Sequence, residues 1–139
     1  MRRKARELAL RVLFEKDLRR KRVEDILSHV PLPSSWDGDT RDFFFTLVRG
    51  VEEREQEIDR LITEVAEGWP LQRMATIDRN ILRIATYEIL FLPEIPPSVS
   101  INEAVELGKK YGTEESGKFI NGVLGRMIRH LEKTGIRRS

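Results

Sequence analysis

The chain has 139 residues, 40% of them apolar, and no cysteine. That length supports one domain with a real core and is short for two, and the lack of Cys excludes a disulfide framework and thiolate chemistry. The formal net charge of +2 hides an asymmetry: residues 1–22 carry +7, residues 126–139 carry +4, and residues 23–125 carry −9, so both ends can meet a polyanion while the body is acidic.

Met1 to Leu18 has helical spacing, with Ala5, Leu8, Ala9, Val12 and Leu13 as its apolar stripe. Arg2, Arg3, Lys4 and Arg6 crowd its first turns, where the helix dipole prefers acids. Two readings stand side by side: a solvated terminus, or a basic helix start that contacts phosphates. Arg19 to Arg22 is a second basic cluster. Val23 to Val30 reads as a short helix ended by Pro31 and Pro33. His29 has no second ligand near it in sequence, so it reads as a surface histidine.

After the Pro31 to Gly38 loop, Asp39 or Thr40 is the expected cap of the next helix. Helical spacing runs from Phe44 to Ala66, with a break expected near residues 50–56, where Gly50 and an acidic run weaken it. Gly68-Trp69-Pro70 stops it, and Trp69 is expected as a core plug.

Thr76 to Leu92 is the expected central helix: Ile77, Ile81, Leu82, Ile84, Ala85, Ile89 and Leu92 make a wide apolar arc. Arg79, Arg83 and Thr86 are expected on its wet side. Glu88 projects into the apolar arc. A carboxylate there must be paired, sit at a wet edge, or face a partner.

Pro93, Pro96 and Pro97 enforce an extended turn. Ser100-Ile-Asn-Glu103 reads as a capping box opening a helix that ends with Lys109, Lys110 and Gly112. Thr113 is the expected cap of a final helix, with Glu114 and Glu115 in its first turn and Phe119, Ile120, Val123, Leu124, Met127, Ile128 and Leu131 on its apolar face. Nothing alternates as a strand does. The expected fold is all-α, a single domain of six to seven helices arranged as two packed bundles, residues 1–66 and 70–135.

With two His and no Cys, no metal or cofactor site is expected, nor a His-based nucleophile system. Gly112-TEES-Gly117-Lys118 imitates a P-loop, but Phe119 stands where Ser or Thr would bind magnesium and no strand precedes it. No apolar run approaches the 18 or so residues of a membrane span and no signal peptide opens the chain, so a soluble, cytoplasmic protein is expected.

The segments SINEAVELGKKYG (100–112), SGKFINGVL (116–124), DRNILRIATYEIL (78–90) and the Arg-rich opening MRRKARELALRVLFE together resemble the NusB family of bacterial transcription antitermination factors. The resemblance covers nearly the whole chain and is weakest across 22–75. It implies two packed helical bundles and no catalysis. It implies pairing with the ribosomal protein NusE, binding of boxA RNA by the pair, and entry into the antitermination complex of RNA polymerase. The family's Arg-rich motif maps to Arg2, Arg3, Lys4 and Arg6, with Arg11 a further candidate. The ATYE segment lies on the side that meets the ribosomal protein, which makes Glu88, with Tyr87 and Arg83, the partner-contact candidates. Pairing of Glu88 inside the chain is an equal alternative. Gly125 stands where many members carry Asp.

With that resemblance, a single-stranded RNA site is expected on the first helix, helped by Lys118 and Phe119, since such RNA is held by cations on phosphates and by stacking on aromatics. Gly122 is expected to allow close helix packing. Competing readings are a relative of the RNA-binding domain of ribosomal RNA methyltransferases, a protein–protein adaptor without RNA, and a basic helix on an anionic membrane. The first helix has no Trp and its narrow stripe is used by the core, which counts against the membrane. Monomer and homodimer both stay open.

Overall fold

In a computed structural model, which describes residues 1–135, the chain forms seven α-helices: α1 (Arg2–Arg19), α2 (Val23–Leu27), α3 (Gly38–Glu53), α4 (Glu55–Val65), α5 (Thr76–Phe91), α6 (Pro97–Tyr111) and α7 (Ser116–Thr134). A 3-10 turn, Leu71–Arg73, leads into α5, and no strand is present among the described residues. The break expected near 50–56 falls at Arg54, whose ψ of 18° separates α3 from α4.

Helix α5 touches α1, α3, α4, α6 and α7, so it is the axis of the core, as its wide apolar arc requires. Ile81, Leu82, Ile84 and Ala85 are buried on it. Helix α1 packs on α2 and α3 through Ala5, Ala9, Val12 and Leu13, and α3 answers with Phe43, Phe44, Leu47 and Val51. Helix α4 leans on α5 and α7, and α6 pairs with α7.

Encirclement overturns one expectation. Arg83 and Thr86 are not on a wet side: they are 7% and 0% exposed, because helices cover α5 on nearly every side. Thr86 Oγ1 donates to the Leu82 carbonyl at 2.6 Å, the local bond that lets a hydroxyl be buried in a helix.

The caps also differ. Asp37, not Asp39 or Thr40, caps α3: its carboxylate accepts from the Thr40 N–H at 2.9 Å and the Thr40 hydroxyl at 2.7 Å. Ser100 does not open α6. The helix starts at Pro97, whose fixed φ suits the first helical position and which has no N–H to leave unpaired. Helix α7 starts at Ser116, so Glu114 and Glu115 precede it, while Thr113 and Ser116 close the turn between the helices.

Glycine permits close approach at Gly108 rather than Gly122. A methyl group on Gly108 would lie 2.8 Å from Ile120 Cδ1 and 3.3 Å from the Gly117 backbone nitrogen, at the α6–α7 contact. One on Gly122 would meet only Arg126 Nη1, at 3.6 Å. Gly108→Leu therefore overpacks the crossing and lowers stability by about 2 kcal/mol. Gly122→Ala raises it by up to about 1 kcal/mol through helix propensity. Thermal unfolding of the two variants should move in opposite directions.

Candidate nucleic-acid interface

The first turns of α1 lie against α3, α5 and α6, and each cation there finds an acid. Arg2 reaches Asp39 at 3.2 Å and lies 4.3 Å over the Phe43 ring. Arg3 makes a two-pronged bond to Glu103 of α6, at 3.0 and 2.8 Å. Lys4 stands 3.6 Å from Glu7, which also accepts from Lys110 at 2.8 Å. These pairs are exposed and screened on the cationic side, so they orient the side chains without contributing much stability. The hydrogen bond from Arg3 holds the Glu103 carboxyl below its usual range despite partial burial.

Arg6 is different. It is 4% exposed, and its Nε and Nη2 donate to the two oxygens of Glu88, both at 2.8 Å. Glu88 is 1% exposed and also accepts from the Ser100 hydroxyl at 2.7 Å. The carboxylate on the apolar arc is thus paired within the chain, and Ser100 serves it rather than capping α6. Arg6 and Glu88 are accordingly placed in the core, away from an RNA or partner surface, and join α1, α5 and α6 at one point.

Arg83, a further partner candidate, is also enclosed. It donates twice to Asp59 of α4, at 2.9 Å each, and once to Asp17 of α1 at 3.1 Å. Asp17 accepts as well from Arg79 at 2.9 Å and Asn80 at 3.0 Å. Burial opposes the charge of Asp17, but the bonds from Asn80 and Arg79 and the charge of Arg83 outweigh it and hold its carboxyl below the usual range. A depressed folded-state value means stability that is present above about pH 4 and lost as pH falls below it. Asp17→Asn should flatten that acid limb in melts run from pH 5 to 2.5.

Tyr87 remains half-buried. Its ring covers Gly50, where a Cβ would collide with it, and lies 5.2 Å from Phe91. Burial first, then the nearby charge of Glu53, pushes its hydroxyl up.

The surface cations left without an ion pair among the described residues include Arg11 and Lys118. Arg11 rims a cavity of about 570 Å³ lined by Leu8, Phe14, Trp36, Ile77 and Tyr111. Lys118 lies in the first turn of α7. Helix α6 connects this end to α1: Glu103 holds Arg3, Glu106 holds Lys109 at 3.5 Å, and the Lys109 stem packs over Gly117. Arg3, Lys109 and Lys110 therefore share one face with Glu7, Glu103 and Glu106, and exposed Lys118 follows Gly117 in sequence beside it.

Sequence reasoning missed Trp69. It is 52% exposed rather than buried, with its ring 6.0 Å from that of Phe119. The left-handed backbone of Glu67 (φ 50°) and Gly68 (φ 82°) turns it outward, and the run Gly-Trp-Pro was the only sequence signal of that turn. Among the described residues no cluster of three His, Cys, Asp or Glu suits a metal ion, and no helix is long and apolar enough to cross a membrane.

The fold and this face define an all-helical protein that presents cations from three helices, most of them paired with acids. The chain belongs to the NusB family, whose description matches residues 3–129. It is 45% identical over 133 residues to the transcription antitermination protein NusB of Desulfosudis oleivorans, covering 94% of this chain and 86% of that one. It is 47% identical over 135 residues to the protein of the same name from Pelotomaculum thermopropionicum, covering 95% and 92%. Among solved structures, T. maritima NusB superposes with a TM-score of 0.86 at 42% identity, covering 93% of this chain and 91% of that one. A chain from a crystal structure of antitermination factors NusB and NusE in complex with dsRNA superposes with a TM-score of 0.80 at 28% identity, covering 93% and 96%.

Proposed function

We propose that this protein is a transcription antitermination factor. It pairs with the ribosomal protein NusE, and the pair binds boxA RNA in nascent ribosomal RNA transcripts so that RNA polymerase reads through terminators. The work is non-catalytic and cytoplasmic. The observation that carries this reading is the cationic edge running from Arg2, Arg3 and Lys4 of α1, past Lys109 and Lys110 of α6, to Lys118 and Phe119 of α7. Its spread over three helices supports a track for an extended polyanion rather than a point site. Arg11 extends the track along α1. The solved relative in complex with NusE and dsRNA supports NusE and RNA as partners.

The partner contact is assigned to Tyr87, the member of the ATYE segment that keeps exposed surface. Residues 1–66 and 70–135 form the two packed helical bundles of this reading, and the cationic groups come from both.

A pull-down of this protein from a bacterial lysate, with and without nuclease, tests the reading. Recovery of the ribosomal protein in both arms and of RNA polymerase only without nuclease is the expected pattern. Recovery of protein partners alone, unchanged by nuclease, would leave a protein–protein adaptor. Arg3→Glu and Lys118→Glu should each weaken RNA binding with melting unchanged, and each should reduce the magnitude of the salt slope of log K by about 0.7.

A further inference from the structure

Half-exposed tryptophans are uncommon, because the indole is a large apolar surface. Trp69 is exposed by construction rather than by fraying. Its backbone N–H donates to the Ala66 carbonyl at 3.2 Å, Gly68 supplies the positive φ of the turn, and Pro70 fixes the next residue. Arg126 of α7 clamps the turn from behind, donating to the Val65 carbonyl at 2.8 Å and pairing with Glu67 at 3.5 Å. Phe119 braces one side of the indole at a 55° tilt. Lys118, next to Phe119, ends the cationic track just described.

On the other side of Trp69 an open cavity of about 580 Å³ is lined by Gln56, Arg60, Thr63, Pro70 and Gln72, among others. Its amides and hydroxyl offer donors and acceptors to the edge of a planar ring, and Arg60 offers a cation for a phosphate. Asp59, which also lines it, has both oxygens taken by Arg83. The site therefore offers an aromatic face, polar edges and, in Arg60, a cation with no ion pair among the described residues although glutamates of α3 and α4 stand near it.

We propose that Trp69, braced by Phe119, is a stacking platform for an unpaired nucleobase, and that the adjoining cavity receives that base. The proposal rests on the RNA-binding reading above. It assigns the α7 end of the track to base contact, and the α1 end to phosphates. Stacking needs an accessible π-face, so the platform discriminates single-stranded from double-stranded RNA and tolerates any base.

The test uses the full chain with its ribosomal partner and a 12-nucleotide single-stranded boxA RNA, its duplex, and the same strand with single abasic positions. Trp36 is only 8% exposed, so a change in indole emission reports mainly on Trp69. Single-stranded RNA should quench the emission saturably, and Trp69→Phe should abolish that quenching. Trp69→Ala should weaken single-strand binding about tenfold and leave duplex binding and the melting temperature unchanged. Trp69→Phe, which keeps a ring, should retain most of the affinity. One abasic position should reproduce the loss in the native protein and add nothing in Trp69→Ala. Native affinity in Trp69→Ala with no quenching, while salt-sensitive binding persists, overturns the platform and leaves the RNA reading intact. Absence of any RNA binding overturns both. If Trp69→Ala fails to fold, the quenching and abasic measurements decide.

Discussion

Glu88→Ala should destabilise the protein by about 3–5 kcal/mol, a fall in melting temperature on the order of 10 °C. The reason lies in what it leaves behind. Arg6 is 4% exposed and has its Nε and Nη2 on Glu88; the nearest other acid, Glu103, is 3.9 Å from Nη1 and is already held by Arg3. Removing the carboxylate strands a guanidinium in the core and leaves the Ser100 hydroxyl without its acceptor. Arg6→Ala should cost a similar amount by stranding the acid. The double variant Arg6→Met, Glu88→Leu should recover most of the loss, because two apolar residues of similar volume leave no buried charge. This distinguishes a structural pair from a binding residue. A partner contact at Glu88 would weaken complex formation with melting unchanged; the buried pair predicts the reverse. The same argument separates Arg6 from Arg2, Arg3 and Lys4, which stay on the surface.

Arg83→Ala is expected to have the second largest effect, about 2–4 kcal/mol. Its guanidinium is the bond between three helices, reaching Asp59 on α4 and Asp17 on α1 from α5. Without it, two partly buried carboxylates face each other with less compensation, and only Arg79 and Asn80 remain on Asp17. Both carboxylates keep some solvent, with side chains 22% and 23% exposed, which is why the expected loss is smaller than for Glu88. Arg83→Lys should recover only part, since an ammonium cannot make the two-pronged contact with Asp59 while also reaching Asp17. Chemical denaturation of the three forms at pH 7 measures this directly. The loss should shrink as pH falls through the depressed folded-state range of Asp17.

The central place of α5 was legible because a wide apolar arc on one helix has few other uses. So was the oddity of Glu88, since helical spacing places it on that arc without knowledge of neighbours. Its resolution was not legible, because Arg6 lies 82 positions away and nothing local marks the two as partners. The wet side assigned to Arg83 and Thr86 failed for the same reason: a single helix does not show that others will cover its polar stripe. Ser100-Ile-Asn-Glu103 matched a capping pattern by spacing alone, while Pro97 had already opened the helix and both polar side chains were engaged across it, with Glu88 and Arg3. At the candidate interface, Arg2, Arg3, Lys4, Arg11 and Lys118 were legible as surface cations. The alignment of the α1 and α7 groups along α6 depends on packing at Gly108 and Gly117, which a linear reading does not resolve. Trp69 was read as core because a Trp usually is, and only the turn geometry exposes it.

The most direct test is titration of labelled single-stranded boxA RNA with this protein, at two salt concentrations, with and without the ribosomal protein. The account predicts binding that weakens steeply with salt, at about 0.7 units of log K per phosphate held for each decade of salt, and that tightens markedly when the partner is added. Complex formation with the ribosomal protein but no salt-sensitive RNA binding in either condition would contradict it, and would reduce the cationic edge to a solvated surface.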